Sequence, residues 1–518
     1  MKNLNKNKGV SLIAAIAIMI LVSVLSAVMA SMLGVTSRGA LNNQLSSKAF
    51  GLTQAGINWY MMQLAGTANW TTTTNQTGIS LNPGTFDVTL SNKASPQTDS
   101  TTNTRMDIAV TGKVADTGGA IIQRQMSQRV FKLPSASKFA LFWGRRTGTS
   151  LNLSNVTIDG DLWSIGSSTI PASSTVTDGI AYRPSTETVT GAGTFTTQSI
   201  TYDANFGYFG NNDAAFTATN STPTLTSTYY TGLISGYNTA IATSPAGSDI
   251  TQSSGTFNVS GTMRGRDVSL TGTVTITGSG TVIANGSSGS RGVMTLGSTS
   301  GGPVTIRPDA GGSITFLSRR SMTVNNVTIN NVNNPAPDYF PRVRMYSQAA
   351  GATSDLLTIR NTAILDRAFL LSDRRILVQN STTSPTVTNS VFFVNRNASS
   401  ATNNNLTVTG TATVGNLGTG PCSLLSIARG TPALAITSTA SVRGFIFQDD
   451  TGNAGFTNIA GTSNASRVNI TGSLIANQFT GNAASNANIT YDDTVLQDPP
   501  QEGFNNFAVK DANSWSGN

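Results

Sequence analysis

The chain has 518 residues, a net charge of +8, one cysteine, no histidine and only two glutamates, Glu187 and Glu502. A single Cys422 excludes an intrachain disulfide, and the missing histidines exclude His-based triads, His-ligated metals and His acid–base catalysis. Charged residues make up 11% and hydrophobic residues 38%, and the latter alternate with Thr, Ser and Asn among 51 glycines, which predicts mostly β structure with many turns. The length suits about two to four domains. The modest basic excess either keeps the surface soluble or meets anionic glycans, lipid headgroups or nucleic acid.

Lys2, Lys6 and Lys8 precede an uncharged run from Val10 to Leu33. As a helix, such a run is roughly 36 Å long, enough to cross a bilayer, with the lysines on the cytoplasmic side. An ordinary secretory signal competes, with Val28 and Ala30 at its small-residue positions. The run is long for a signal, however, and helical patterning continues beyond it. In SRGALNNQLSSKAFGLTQAGINWYMMQL, Leu41, Leu45, Ala49, Leu52, Ala55, Trp59 and Met62 recur at spacings of three and four. One helix is therefore expected over residues 10–66, with a soft spot at Gly34 and Gly39.

KGVSLIAAIAIMILV resembles the N-terminus of a type IV prepilin. The resemblance implies cleavage by a prepilin peptidase between Gly9 and Val10, N-methylation of Val10, and an α-helix kept for filament assembly. The stretch SKAFGLTQAGINWYM is similar to the AF-x-x-A-x-A-G helix of minor pilins with a PilX-type N-terminal region. Ala49, Phe50, Ala55 and Gly56 carry that match, and Thr53 stands where the family has its middle alanine. Most pilins carry a glutamate at the fifth mature position, which pairs with a neighbouring N-terminus. Here that position is Ala14. An unpaired charge is costly in an apolar bundle. A subunit that initiates a filament has no predecessor to pair with, so Ala14 fits a tip position; tolerance within the shaft is the competing explanation.

GTFDVTL (84–90), RMDIAVTGKV (105–114) and AIIQRQMSQRVFKL (120–133) alternate apolar and polar residues, separated by Gly-rich turns. They predict a small antiparallel sheet within residues 67–136. In pilins such a sheet packs on the amphipathic half of the helix, here burying Leu45, Leu52 and Trp59.

From about residue 137 to 495 the texture becomes short β segments of three to five residues broken by Gly, Asn, Asp or Ser, as in FNVSGTMRGRDVSLTGTVTITGSGTVIANG. Such irregular repeats predict a β-solenoid, in which stacking aligns Val, Ile and Leu into one core. A β-sandwich is the alternative, with longer strands and hairpins. Residues 496–518 are expected to form a polar tail, partly capping the solenoid. The fold class is thus α+β: a pilin helix with a small antiparallel sheet, then a large parallel β-helix.

Chemistry-bearing clusters are sparse. Asp159 and Asp161, Asp449 and Asp450, and Asp492 and Asp493 are paired acids that read as turns; catalysis on them would rest on fold analogy with β-helix glycan enzymes. Arg145-Arg146, Arg319-Arg320 and Arg374-Arg375, with Arg342 and Arg344, would form a stripe for an anionic ligand if stacked coils aligned them. Tyr229-Tyr230, Tyr237, Tyr339-Phe340 and Trp163 either build a carbohydrate platform or pack in the core. GSSGSRG (286–292) and GTGPCS (418–423) lack the lysine and flanking helix of a P-loop. No catalytic residue, cofactor or metal is expected. The reading is a minor pilin-like subunit of a type IV pilus or type II secretion pseudopilus. Its expected partners are other pilin subunits, the prepilin peptidase, the inner membrane before assembly, and a surface glycan or cell-surface ligand, with DNA ranked below these.

Overall fold

The computed structural model describes residues 6–518 except 66–72, 95–104, 117, 134–136, 138, 144–150, 165, 185–187, 201–227, 244–246, 334–340, 351–355, 381–382, 396–404, 417–419, 428–431, 449–456, 477–478, 493–494, 496–506, 511–515 and 518. It has one long N-terminal helix, a small antiparallel sheet and a large parallel β-helix.

Helix α1 (Lys6–Ala65) is unbroken through Gly34 and Gly39. Between Leu12 and Val35 its large apolar side chains are exposed all round, Leu12 at 63% and Val35 at 70%. In the second half one stripe turns inward: Leu45, Ala49, Leu52, Thr53, Gly56, Ile57, Tyr60 and Leu64 are buried. This stripe departs from the expected one at both ends, where Leu41 and Met62 are exposed, and Ala55 and Trp59 are only half-buried. The inward positions lie one residue further round the helix, on the side where Gly56 lets the sheet approach. A Cβ at Gly56 would stand 2.6 Å from Val110 Cγ1, and one at Gly112 would stand 2.3 Å from the Ala49 carbonyl oxygen. Ala49 is thus a point of close backbone approach to Gly112 of the sheet, and Gly56 makes room for the Val110 and Phe86 side chains.

The sheet contains β1 (Gln76–Leu81), β2 (Gly84–Ala94), β3 (Arg105–Ala115) and β4 (Ile121–Leu133), paired antiparallel in that order. Phe86, Val88, Met106, Ile108, Val110, Met126 and Val130 face α1 in one core. Ion pairs Lys113–Asp87 and Arg129–Asp107 lie away from that core, on strands already joined by backbone bonds. Strand β1 was not among the expected strands: it is an exposed edge strand, and without a buried face it carries no apolar alternation. The C-terminal tail also departs from expectation. Phe507–Lys510 pairs antiparallel with Leu133–Val130 of β4, and Ser516 pairs with Ser127. The free edge of β4 recruits these residues into the small sheet, because an open edge offers a full row of unpaired backbone groups.

The solenoid has three faces. Face 1 includes Met294–Leu296, Met322–Asn325 and Leu357–Arg360; face 2 includes Val304–Pro308, Val327–Ile329 and Ile364–Asp366; face 3 includes Ile314–Ser318, Val343–Ser347 and Ala368–Ser372. Strands within each face pair in parallel, and Val, Ile, Leu and Phe from all faces fill one continuous interior. The stacking order is not the chain order. On face 3 the rungs run 261–265, 280–284, 314–318, 343–347, 368–372, 391–394, 422–426, 444–448, 472–476, 141–143, 162–164, 181–184 and 197–200, thirteen in all. The coil begun by Phe479–Thr490 is completed by Leu141–Trp143, which pairs with Leu474–Ala476 on one side and Leu162–Ser164 on the other. The chain therefore joins the solenoid in mid-stack, and strands 151–200 extend the stack formed by strands 250–490.

A second helix, α2 (Thr228–Ala242), links the two blocks and was not anticipated. Its threonines and glycines favour helix poorly. It is held instead by tertiary packing of Tyr230, Ile234 and Ile241 on the outer side of face 3. Tyr230 stacks between Phe369 and Phe393, with ring centroids 5.9 and 4.6 Å away. Its other end meets the first rungs, where Arg264 Nη1 donates to the Ala240 carbonyl at 2.7 Å. The helix runs along the solenoid axis and returns the chain to the far end. Face 3 is accordingly buried on both sides, and strands such as Ala368–Ser372 and Val391–Val394 read as unbroken apolar runs.

If the coil is completed across the chain in this way, truncation after residue 478 will damage remote residues. We expect strands in 141–200 to lose protease resistance and near-UV ellipticity along with the deleted rung; limited proteolysis with mass mapping checks this. Unchanged protection of 141–200 would contradict the pairing.

Candidate functional site

Gly9 and Val10 lie in the first turns of α1, and Ala14 lies in its exposed apolar half. By length and composition this half is able to cross a membrane, and the same property is shared by anchors and signal sequences. Its continuation is distinctive: the helix runs without a break into the packed stripe beneath the sheet.

The six candidate arginines divide between two locations. Arg319-Arg320 and Arg374-Arg375 occupy the corner after face 3, two rungs apart, which is about 10 Å at the usual strand spacing. Arg342 and Arg344 stand at the opposite end of the Val343–Ser347 rung, about 13 Å away at 3.3 Å per residue. Arg342 Nη1 donates to the Gly311 carbonyl at 2.9 Å, and Arg375 Nε to Asn405 Oδ1 at 3.0 Å. The Arg319 and Arg320 backbones build the corner. Their N–H groups donate to the carbonyls of Ala284 and Gly292, and the Arg320 carbonyl accepts from Ser318 and Ser347. Arg145 and Arg146 lie outside the described residues.

The paired acids sit at corners. Asp161 Oδ1 accepts the Ile180 N–H at 2.9 Å, and Asp492 pairs with Arg443 at 3.2 Å. Asp449, Asp450 and Asp493 lie outside the described residues. Among the described residues no three His, Cys, Asp or Glu side chains gather in a metal-binding group. Cys422 is buried, and desolvation pushes its thiol up to about 12, so it stays protonated and unreactive near neutrality.

Of the candidate aromatics, Tyr230 and Trp163 are buried in the outer core of face 3, whereas the side chain of Tyr229 and the residues Tyr339 and Phe340 are not among those described. Tyr237 is half-buried and lines a groove of about 630 Å³ between α2 and the outer side of face 3. Thr262, Thr281 and Thr315, stacked on successive rungs, form part of the groove's wall.

A polar network missed from the sequence pins α2 beside that groove. The Tyr346 hydroxyl donates to Asp373 Oδ2 at 2.8 Å and lies 2.7 Å from Asn238 Oδ1. Asn238 Nδ2 donates to Asp373 Oδ2 at 3.1 Å, and Asn395 Nδ2 to Oδ1 at 3.0 Å. Burial, then the neighbouring Asp373 carboxylate, raise the Tyr346 pKa far above its ordinary value of 10.0. Its four residues come from four separated segments, so only their convergence could have revealed it. A further unpredicted feature is the Ser at the end of face 3 rungs: Ser318, Ser347, Ser372 and Ser426 are buried and satisfy corner backbone groups.

Comparison of the chain with protein-family models, curated proteins and solved structures found no match.

The Tyr346 network makes a signed prediction. Because the folded-state pKa is raised, its contribution is full below the unfolded value near 10 and is lost as pH rises above it. Tyr346→Phe should cost about 1–3 kcal/mol at pH 7. It should also flatten the decline in stability above pH 10, as read from denaturant unfolding at pH 7 to 11.

Proposed function

We propose that the protein is a minor pilin-like subunit of a type IV pilus or type II secretion pseudopilus, carried at the filament tip, with the solenoid projecting outward. The observation that carries this reading is the construction of α1. Its first half exposes apolar residues on every side, and its second half is built into the packed small sheet. A secretory signal is discarded and needs no such continuity, whereas a subunit that leaves the membrane for a helical bundle keeps both halves. In water, exposed residues from Leu12 to Val35 would forfeit about 25 cal/mol per Å² of apolar surface, so a lipid or helix-bundle environment is required.

The tip position is supported by two further features. Ala14 removes the acid that shaft subunits use in the family this chain resembles. A solenoid of thirteen rungs is about 60 Å long at the usual strand spacing, too bulky to repeat in a shaft whose helices pack about 10 Å apart. At a tip, the solenoid would present its flanks to a surface glycan or another cell-surface ligand.

Intact-mass and N-terminal peptide analysis of the protein purified from its own host tests this. We expect a mature chain starting at methylated Val10. A start at Ser31 would identify an ordinary signal, and a start at Met1 a plain anchor; either result would remove the assembly role.

A further inference from the structure

The groove between α2 and the outer side of face 3 has two unlike walls. On the sheet side, two rows of side chains run along the solenoid axis. Thr262, Thr281 and Thr315 lie in register on three successive rungs, and Arg264, Ile283 and Leu317 form the row beside them. At the usual strand spacing each row repeats every ~4.8 Å. One row offers hydroxyls; the other offers one cation and then aliphatic surface. On the helix side, Gly232, Gly236 and Ala240 follow at intervals of four and face the groove. A Cβ at Gly232 or Gly236 would meet nothing within 4 Å, so the missing side chains leave the space open. The helix is held in place over it by the Tyr230 stack, the Tyr346–Asp373–Asn238 network and the bond from Arg264 to the Ala240 carbonyl. At about 630 Å³, the groove falls within the range of small-molecule sites.

Among the described residues that line the groove, Arg264 alone is charged. Its partner there, the Ala240 carbonyl, is neutral, and α2 carries no charged residue. The acids of the neighbouring corner, Asp249 and Asp267, are paired with Arg266 and Arg291. Asp373 is taken up by Tyr346, Asn238 and Asn395. Beyond Thr315 the threonine row continues into Arg344. The groove therefore favours an anionic group.

The two rows decide what carries that group. A fatty acid would suit Ile283 and Leu317 but would cover the threonine hydroxyls without bonding them, which is costly. An extended peptide would find no open strand edge, because the middle rung, Gly280–Ala284, is paired on both sides. A sugar chain presents ring C–H faces and hydroxyl edges together, in units comparable in length with one rung. A carboxylate on it would meet the Arg264 guanidinium. We propose that this groove binds a short stretch of acidic glycan lying along the solenoid axis. The site gives the surface contact proposed above a place and a ligand class, and it rests on that reading.

Binding of the full chain, in a sugar-free detergent, to an array of immobilised oligosaccharides tests this. Members bearing uronate or sialate carboxylates should be retained at least tenfold better than the same oligosaccharides with the carboxyl reduced to an alcohol. Gly236→Leu puts a side chain into the open space and should abolish retention, while its unfolding temperature stays at or above that of the wild type. Arg264→Gln should remove the preference for carboxylated members, and Thr281→Val should weaken retention with the preference kept. No retention, retention of the reduced members alone, retention unchanged in Gly236→Leu, or displacement by octanoate overturns the proposal. The filament reading is scored separately by the mature N-terminus. A chain that starts at methylated Val10 and binds no oligosaccharide overturns the site alone. A chain that starts at Met1 or Ser31 and binds carboxylated members removes the filament role and supports the site.

Discussion

Parallel hydrogen bonds from Leu474–Ala476 to Leu141–Trp143, and from there to Leu162–Ser164, hold the two blocks of the solenoid in one stack. Without that rung, Leu162–Ser164 would have no stacked partner on face 3 toward the rest of the core, and the parallel pairing of Leu153–Asp159 with Ala484–Thr490 would join the blocks on the other two faces alone. A parallel coil cannot bury its interior alone, and its stability comes from the layers on either side. The rung also places the point where the chain enters the solenoid beside the point where it leaves. From there the chain reaches Phe507–Lys510, which pairs with β4. The small sheet is thereby connected to the solenoid through both termini of the solenoid segment. A load applied between α1 and the solenoid is shared by two chain connections.

Face 3 differs from the other two faces because it is covered. Faces 1 and 2 alternate buried and half-exposed residues, as sheets with one wet side must. Face 3 carries a second apolar layer outside, running from Ile283 through Leu317, Leu371 and Phe393 to Phe142, and α2 packs on part of it. The Tyr346–Asp373–Asn238–Asn395 network fixes where that helix sits. Buried polar groups of this kind are costly unless every partner is in place, which makes them specifying as well as stabilising. With its outer side covered, face 3 leaves the half-exposed flanks of faces 1 and 2 toward solvent.

The function we propose rests on a separation of roles along the chain. The apolar half of α1 needs lipid or other helices, the small sheet ties its second half into a folded unit, and the solenoid supplies surface. The arginines that looked like one basic stripe are split between two ends of a rung, and Asp161 and Asp492 serve the corners. The extended surfaces of the solenoid are its half-exposed flanks, which suit the contact role we propose.

The sequence alone determined what depends on local periodicity. Spacings of three and four marked α1, alternation marked three strands of the small sheet, and short β segments between Gly and Asn marked the solenoid. Side-chain period and turn chemistry are properties of a few neighbouring residues, so they can be read without the fold. Tertiary structure alone decided which strand stacks on which. The completion of a coil begun at Phe479 by Leu141–Trp143, the recruitment of Phe507–Lys510 to β4 and the helical state of Thr228–Ala242 depend on residues far apart in the chain. Hydrogen bonding between parallel strands is indifferent to sequence order, and a weak helix former becomes helical only where a second apolar surface waits for it.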